Sequence, residues 1–376
     1  MREQRHPLIS PVPGTQRELL SLHYGQPGRG PKVYIQTSLH ADELPGMLTA
    51  WHLRQHFNTL EAQGAIRGEV VLVPMANPIG ASQWWQQAHL GRFESLSGEN
   101  FNRHYPAFAL AAAQAAQAQL SSSDAAHNVS VLRQALKAQV AAYRPHTELQ
   151  SLRRTLYLLA CDADIVLDLH CDAQSLMHLY TTPACWPQCE ALAADLQAPL
   201  TLLAEESGDH PFDEACSGPW QQWQQHFNGE HVRFPIPQAC MSTTVELRGQ
   251  HDVNHELARQ DAQALLHYLA RRGVLDLTPP PLPSAGQARP LAGCEFVETP
   301  VGGVLAYVCE LGREVQAGEC LAHVIDPLSG VLTEIVAPVD GLFFARDALH
   351  LVCAGARIAK VAGRNPTRSG KLLGAR

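Results

Sequence analysis

Charged residues of either sign are sparse in this sequence, and nowhere do they form a dense cluster. Among 376 residues, 28 are Lys or Arg and 36 are Asp or Glu, so the net charge is −8 and the pI is near 6.2. A protein that binds a phosphate backbone normally presents a basic face, and no Lys/Arg cluster here is dense enough to form one. The composition therefore argues against a nucleic acid as partner.

Long apolar runs and paired cysteines are also missing. No uninterrupted apolar stretch approaches the ~20 residues that a helix needs to cross a bilayer, and residues 1–7 lack the apolar core of a signal peptide. The ten cysteines include no Cys-x-x-Cys pair, and a chain of this size does not need disulfides to fold. We therefore expect no membrane partner, a cytoplasmic location and mostly buried thiols.

The first 277 residues alternate between strand-like and helix-like patterns. Hydrophobic residues make up 45% of the sequence, which is enough for a large core. Buried strands are predicted at residues 33–37, 70–74, 165–169 and 245–247, and helices at residues 47–57, 107–142, 147–159 and 261–272. This alternation predicts an α/β domain with helices on both faces of a sheet.

A proline-rich segment at residues 278–287 divides the chain, because its four prolines exclude a helix or a central strand. Beyond it, short valine-rich runs are punctuated by glycines. Residues 315–324 match residues 352–361 at six positions. Two similar half-units of short strands predict a small all-β domain at residues 288–376.

The turn after the first of these predicted buried strands places His40 three residues before Glu43. Imidazole nitrogen and carboxylate oxygen are ligands that zinc accepts. His170 follows the strand predicted at residues 165–169, and open α/β sheets place ligand sites at the carboxyl ends of their strands. Two His and one Glu form a known catalytic zinc arrangement, so we predict these three residues as metal ligands. Taken alone, a His-x-x-Glu among 19 histidines also arises by chance.

Further polar residues in the same part of the chain have a chemical use. Asn102 and Arg103 are adjacent in a loop bounded by Gly and Pro, and a guanidinium binds carboxylate with two parallel hydrogen bonds. This pattern is typical of a carboxylate clamp. Glu246 lies within an otherwise apolar predicted strand, where a carboxylate needs a partner or a chemical role.

In their order along the chain, these residues resemble one family, the succinylglutamate desuccinylase/aspartoacylase group of zinc carboxypeptidase-like hydrolases. The matching elements are His40-x-x-Glu43, Asn77-Pro78, Arg92, Asn102-Arg103, Asp168-Leu169-His170 and Glu246. The C-terminal unit resembles the small β-domain that many bacterial members carry. Two pairs depart from the family pattern: Ala41-Asp42 stands where Gly-Asn is usual, and Asn100-Phe101 where Asp-Leu is usual. Neither departure touches a predicted ligand, so they concern the substrate pocket.

The resemblance implies a mixed sheet flanked by helices, one Zn²⁺ per chain on the three predicted ligands, and hydrolysis of an amide bond in a small N-acyl amino acid. It further implies that Glu246 is the general base and that Arg92 polarises the scissile carbonyl. Asn102 and Arg103 would grip a substrate carboxylate. The expected partner is therefore a small anionic substrate, and homo-oligomerisation stays open.

Other functions also fit parts of this pattern. A zinc carboxypeptidase could use Arg103 on a peptide carboxyl terminus, and a non-catalytic binding protein could keep the same fold. The C-terminal unit has the Gly- and Val-rich composition of a biotinyl or lipoyl carrier domain. No lysine lies between Leu291 and Ala359 to accept the biotinyl or lipoyl group. A structural, oligomerising or lid role stays open for that unit. We predict that residues 212–214 lie in a loop and that Trp84 and Trp85 serve packing.

Overall fold

The central element of the fold is a large mixed sheet, seen in a computed structural model that describes residues 1–228 and 234–373. Up to the end of the proline-rich segment the strands are β1 (Arg2–Pro7), β2 (Glu18–Gly25), β3 (Lys32–Thr37), β4 (Glu69–Val73), β5 (Trp84–Trp85), β6 (Ala88–His89), β7 (Ile165–Asp172), β8 (Gln174–Ser175), β9 (His178–Thr181), β10 (Leu200–Leu203), β11 (Met241–Gly249) and β12 (Gln287–Pro290). Within the described residues, nine of them form one sheet in the order β1-β2-β4-β3-β7-β11-β9-β10-β12.

Helices cover both faces of this sheet, as the alternating sequence pattern predicts. They are α1 (Pro45–Ala62), α2 (Pro78–Ala81), α3 (Ala109–Ala116), α4 (Ala125–Ala142), α5 (Glu148–Ala160), α6 (Trp186–Asp195), α7 (Phe212–Phe227) and α8 (His255–Arg271). Alternate residues of β3 enter two different cores: Tyr34 packs with the side of α3, α4, α5 and α7, whereas Val33 and Ile35 pack with the side of α1, α6 and α8. Strands buried on both faces explain the continuous apolar runs.

None of the helices in the described part of the chain is long and apolar enough to cross a membrane. The ten cysteines are all free thiols, and only Cys320 and Cys353 among them are not buried. The expectation of mostly buried thiols is confirmed.

The C-terminal region is all-β. Its strands are β13 (Cys294–Glu298), β14 (Gly303–Tyr307), β15 (Glu314–Val315), β16 (Cys320–Ile325), β17 (Leu332–Val336), β18 (Gly341–Arg346), β19 (Leu351–Val352) and β20 (Arg357–Gly363). They form two small sheets, β13-β20-β18-β15 and β17-β16-β14-β19, around an apolar core. The sequence repeat corresponds to two equivalent units, β15–β16 and β19–β20, each with a two-residue strand, a glycine turn and a long strand.

Strands cross the boundary between the two regions. Residues 287–290, at the junction of the proline-rich segment and the C-terminal region, form β12 and pair in parallel with β10 at the edge of the large sheet. In the other direction, β8 pairs antiparallel with β18 of the C-terminal sheet. The buried Arg289 side chain of β12 donates hydrogen bonds to the Ala362 carbonyl oxygen and to Glu314. The two regions therefore share backbone pairing as well as side-chain contacts.

Candidate metal centre

Three parallel strands bring the predicted site residues to one edge of the sheet. β7 pairs in parallel with β3 on one side and with β11 on the other, so their carboxyl ends lie together. His40 and Glu43 lie in the turn after β3, and His170 lies near the end of β7. Glu246 of β11 is the register partner of His170. Residues distant in sequence therefore meet at one edge.

Side chains from neighbouring loops hold the turn that carries His40 and Glu43. The Ser38 backbone lies in the left-handed region, with φ 57°, and its hydroxyl donates to the Glu43 carbonyl oxygen at 2.8 Å. Asn77 donates from Nδ2 to the Leu39 carbonyl oxygen at 2.8 Å, and its Oδ1 caps the first turn of α2. The Asn-Pro motif thus fixes the backbone beside the predicted ligands.

The Glu43 carboxylate lies between the two imidazoles. Its Oε1 is 2.8 Å from His40 Nδ1, and its Oε2 is 2.7 Å from His170 Nδ1. The three side chains are buried, and one ligand atom from each lies within 4.8 Å of the others. Burial alone would raise the pKa of Glu43, but the two imidazoles hold it well below its usual value. An ionised carboxylate between two imidazole nitrogens is a donor set suited to a divalent transition metal.

The far nitrogen of each imidazole is held by a different acceptor. His40 Nε2 lies 2.8 Å from Asn100 Oδ1, and His170 Nε2 lies 3.0 Å from Asp168 Oδ2. With a metal bound, such contacts would keep the ring proton on Nε2 and turn Nδ1 toward the ion, as a metal-binding histidine requires. The donor set and its outer contacts therefore fit a metal.

The support for His170 continues into the core. Gln36 donates to Asp168 Oδ1 at 2.9 Å and accepts from the Tyr34 hydroxyl at 2.8 Å. Burial lowers the pKa of His170, but the carboxylates of Asp168 and Glu43 outweigh burial and hold it well above its usual value. Asp168, itself held by Gln36, thus lies where it orients and polarises the His170 ring.

Within residues 1–228 and 234–373, His40, Glu43 and His170 are the one group of His, Cys, Asp or Glu side chains arranged to hold a metal ion. Cys185 and Cys189 are buried thiols and form no such group with His178 among the described residues.

Arg92 approaches the centre from the solvent side. Its Nη1 donates to Glu43 Oε1 at 3.1 Å and lies 3.3 Å from His40 Nδ1. About half of the side chain is exposed (46%), so it can turn toward a bound molecule. The backbone of its loop is fixed to the ligand turn, since the Ala41 amide donates to the Gly91 carbonyl oxygen at 3.0 Å.

Asn102 and Arg103 reach the same site, and they differ in the hydrogen-bond donors that they can present to a ligand. Asn102 Oδ1 accepts from the Phe212 amide at 2.8 Å, and its Nδ2 lies 3.4 Å from His170 Nε2. Arg103 is buried, donates to the Asn102 carbonyl oxygen at 2.6 Å, and has an Nε with no hydrogen-bond partner among the described residues. A buried guanidinium with an unpaired N–H can donate a hydrogen bond to a carboxylate.

Glu246 is the carboxylate without a hydrogen bond at this edge. Its Oε2 is buried and accepts nothing from the described residues. Burial, together with the charge of Glu43, raises the pKa of Glu246 to about 8. A carboxyl group with such a pKa can exchange a proton near neutral pH.

These residues line a cleft of about 570 Å³ between the two regions of the chain. The catalytic side contributes the centre itself, and the C-terminal side contributes Phe296, Arg346, Arg357 and Lys360. Trp84 and Trp85 do not line this cleft and are largely exposed, at 60% and 71%. Trp84 stacks on His89 with the ring centroids 4.6 Å apart, as a packing role predicts, whereas Trp85 buries little of its surface.

The model of the succinylglutamate desuccinylase/aspartoacylase catalytic domain matches residues 29–272. The chain belongs to this family. A solved structure of a succinylglutamate desuccinylase/aspartoacylase family protein from Shewanella amazonensis shares 27% identity and a TM-score of 0.85, covering 96% of this chain and 98% of that one. A second, from Shewanella frigidimarina, shares 24% identity and a TM-score of 0.82, covering 96% and 97%. The product-bound ectoine utilization protein from Ruegeria pomeroyi shares the fold at 16% identity and a TM-score of 0.69, covering 97% and 95%. No curated protein matches.

Family membership clarifies the departure at Asn100. The residue that differs from the usual family Asp is the one that holds His40 Nε2. Asn100 is fixed in turn, because Arg153 donates to its backbone carbonyl oxygen at 3.0 Å. The departure therefore lies directly behind a predicted ligand, although the sequence assigned both departures to the substrate pocket.

Residues 212–214 form the first turn of α7, and the prediction of a loop is wrong. Asp213 is buried and lines the cleft, and burial, with Asp168 adding to it, raises the pKa of Asp213 to about 6. Pro211 before two acidic residues is the pattern of a helix start. Pro219 inside the helix obscured that pattern.

Proposed function

We propose that this family member is a zinc-dependent amidohydrolase that cleaves the amide bond of a small N-acyl amino acid or a related carboxylate-bearing substrate. The observation that supports it most is the meeting of His40, Glu43 and His170 beside the unpaired carboxylate of Glu246. The ligand set favours zinc among divalent ions. The free thiols suit a reducing compartment, so the proposed location is the cytoplasm.

A zinc ion held by the three ligands would supply Lewis acidity and lower the pKa of a water molecule toward ~7. Glu246 lies opposite His170 on the neighbouring strand, where its carboxylate can take a proton from the attacking water. The same carboxyl group then donates that proton to the departing amine. Burial raises its pKa above that of an ordinary carboxyl group, so it is suited both to accept and to return a proton near neutral pH.

Arg103 and Asn102 would orient the substrate. The unpaired Nε of Arg103 offers a hydrogen bond to a carboxylate oxygen. Asn102 lines the cleft, and its Nδ2, whose contact with His170 Nε2 is long at 3.4 Å, is a donor that the substrate could use. Fixing the carboxylate in this way would set the scissile carbonyl against the centre.

Arg92 would stabilise the oxygen of the scissile carbonyl as negative charge develops on it. The side chain already lies beside His40 and Glu43 and is half exposed. One such donor typically contributes ~3–4 kcal/mol to the transition state. Binding and positioning by arginines suits a small anionic substrate.

The deciding experiment couples metal analysis of the purified protein to a screen of N-acyl amino acids, with release of the free amino acid as readout. We expect close to one zinc per chain and turnover that a chelator abolishes. Peptides with a free carboxyl terminus are assayed in parallel, and cleavage of these alone would favour a carboxypeptidase. Metal-loaded protein that binds acyl amino acids without turnover would indicate a binding protein.

A further inference from the structure

The C-terminal β-region reaches the metal centre through one lysine. Lys360 lies on β20, and its Nζ forms an ion pair with Asp172 Oδ2. Asp172 is the last residue of β7, two positions after His170. Both side chains of the pair are mostly buried, at 24% and 21% exposure. An ion pair in this setting is more strongly constrained than one on an open surface.

The backbone beyond Asp172 is held by the same region. β8 pairs antiparallel with β18, and the Leu176 amide donates to the Phe344 carbonyl oxygen at 2.9 Å. Arg346 donates from Nε to Gln174 Oε1 at 2.8 Å. Residues 172–176 therefore connect the end of the ligand strand to the β-region by an ion pair, a side-chain hydrogen bond and strand pairing.

Lys360 also faces the other acidic groups of the cleft. Burial would lower the pKa of Lys360, but Asp172 raises it above its usual value, and Tyr180 and Glu246 add to that effect. The ammonium group is therefore charged at neutral pH. It lines the cleft together with Glu246 and His170, although it belongs to a separate sheet.

We propose that Lys360 is a positioning residue of the metal centre. Its ion pair with Asp172 fixes the end of β7, and through β7 it fixes the direction in which the His170 imidazole points. This inference rests on the proposed function, because it takes His170 as a metal ligand. It assigns the β-region a part in the active site, whereas the sequence left a structural, an oligomerising and a lid role open.

The test compares Lys360→Met, Lys360→Arg, Asp172→Asn and the double variant. Lys371→Met is the matched control. Lys371 is also a lysine near the C-terminus that forms an ion pair with the catalytic region, at Asp209, but it lies outside the cleft. The readouts are the zinc dissociation constant by competition with a chromophoric chelator, kcat and KM, and hydrogen exchange of the amides of residues 171–176.

We expect Lys360→Met to weaken zinc binding by about tenfold, the lower limit for outer contacts of a metal site. It should lower kcat by a similar factor with KM unchanged, and it should speed exchange of the 171–176 amides. Lys360→Arg, which keeps the positive charge, should retain most of the wild-type zinc affinity, kcat and slow hydrogen exchange. Asp172→Asn should match Lys360→Met, and the double variant should be no worse than either, because both changes remove one interaction. Lys371→Met should match the wild type.

Four results would overturn the proposal. One is zinc affinity and kcat of Lys360→Met within twofold of the wild type. The second is a rise in KM alone, which would place Lys360 on the substrate. The third is additive losses in the double variant, which would mean that Lys360 and Asp172 act independently. The fourth is unchanged hydrogen exchange, and this readout decides even if the wild type binds no zinc or has no hydrolase activity. If Lys360→Met does not fold, Lys360→Gln and Asp172→Asn carry the same comparisons.

Discussion

His40 is oriented by Asn100, whose Oδ1 lies 2.8 Å from His40 Nε2. His170 is oriented by a carboxylate instead, with Asp168 Oδ2 at 3.0 Å from its Nε2. The two imidazoles of one centre therefore have outer partners of different charge. A carboxylate partner raises the basicity of a histidine ligand more than a neutral amide does.

Asn100→Asp should therefore strengthen zinc binding several-fold, because it places a charge behind His40 without changing the shape of the side chain. Asn100→Ala should weaken binding by about 10- to 100-fold, the range found for outer contacts of metal sites. Both are measured by chelator competition at constant pH. Equal affinity in all three proteins would show that Asn100 does not act through His40.

Glu246→Gln should keep stoichiometric zinc and lose at least ~100-fold in kcat, because an amide cannot accept the proton of the attacking water. Zinc content and steady-state kinetics are measured on the same preparation. Glu246→Asp, which retains a carboxylate at a shorter reach, should lose less. Full activity of Glu246→Gln would remove this residue from the mechanism.

His170→Ala should lose the metal, because two of three protein ligands cannot hold a catalytic zinc in the proposed arrangement. Metal content after dialysis measures this directly. The control is His127→Ala, on the exposed face of α4, which should retain the metal. Normal zinc affinity in His170→Ala would mean that the ligand set is wrong.

Arg103→Lys should raise KM for an acyl amino acid by about 10- to 100-fold, because an ammonium lacks the paired donors of a guanidinium. The carboxamide of the same substrate should show a much smaller change. The comparison of the two substrates isolates the carboxylate contact from general damage to the cleft. A parallel rise in KM for both would place the carboxylate elsewhere.

His178 should make stability depend on pH. Burial lowers the pKa of His178 to about 4, and Nδ1 remains bonded to the Leu176 carbonyl oxygen while Nε2 has no partner among the described residues. Below pH ~6.5 the unfolded chain binds a proton that the folded chain does not, so the free energy of unfolding falls as pH falls toward 4.

His178→Phe should therefore reduce the loss of unfolding free energy between pH 7 and pH 5 by about 2 kcal/mol, as expected for one proton over that interval. Urea unfolding at both pH values gives the difference. His146→Phe, at an exposed position, is the control and should leave the loss unchanged. The same loss in His178→Phe and the wild type would contradict this assignment.

The sequence best predicts those features of the fold and site that depend on residues close together in the chain. His40 and Glu43 follow the end of β3, and His170 lies near the end of β7. Parallel strands carry their carboxyl ends to one edge of the sheet, so the meeting of the three residues follows from strand order. In the sequence Asn100 stands out only as a departure from the family pattern. Its contact with His40 spans 60 positions and leaves no local signal. The sequence does not predict the start of α7, because Pro219 lies inside this helix and a proline normally argues against a helical interior.

Contacts between the two regions were the least predictable part. The sequence shows that no lysine precedes Ala359 in the β-region, but it does not show that the next residue, Lys360, pairs with Asp172 across 188 positions. Such a pair depends on how two sheets dock, which periodicity and spacing do not encode. The two half-units were visible because a repeat is itself a local pattern.

The pairing of β10 with β12 has a practical consequence for any attempt to isolate the catalytic region. A chain cut before β12 would leave the backbone groups of β10 open along the margin of the large sheet. An exposed edge strand of this kind can pair with a strand of another molecule. A shortened protein would accordingly tend to self-associate, and its lost activity would report aggregation together with the loss of Lys360.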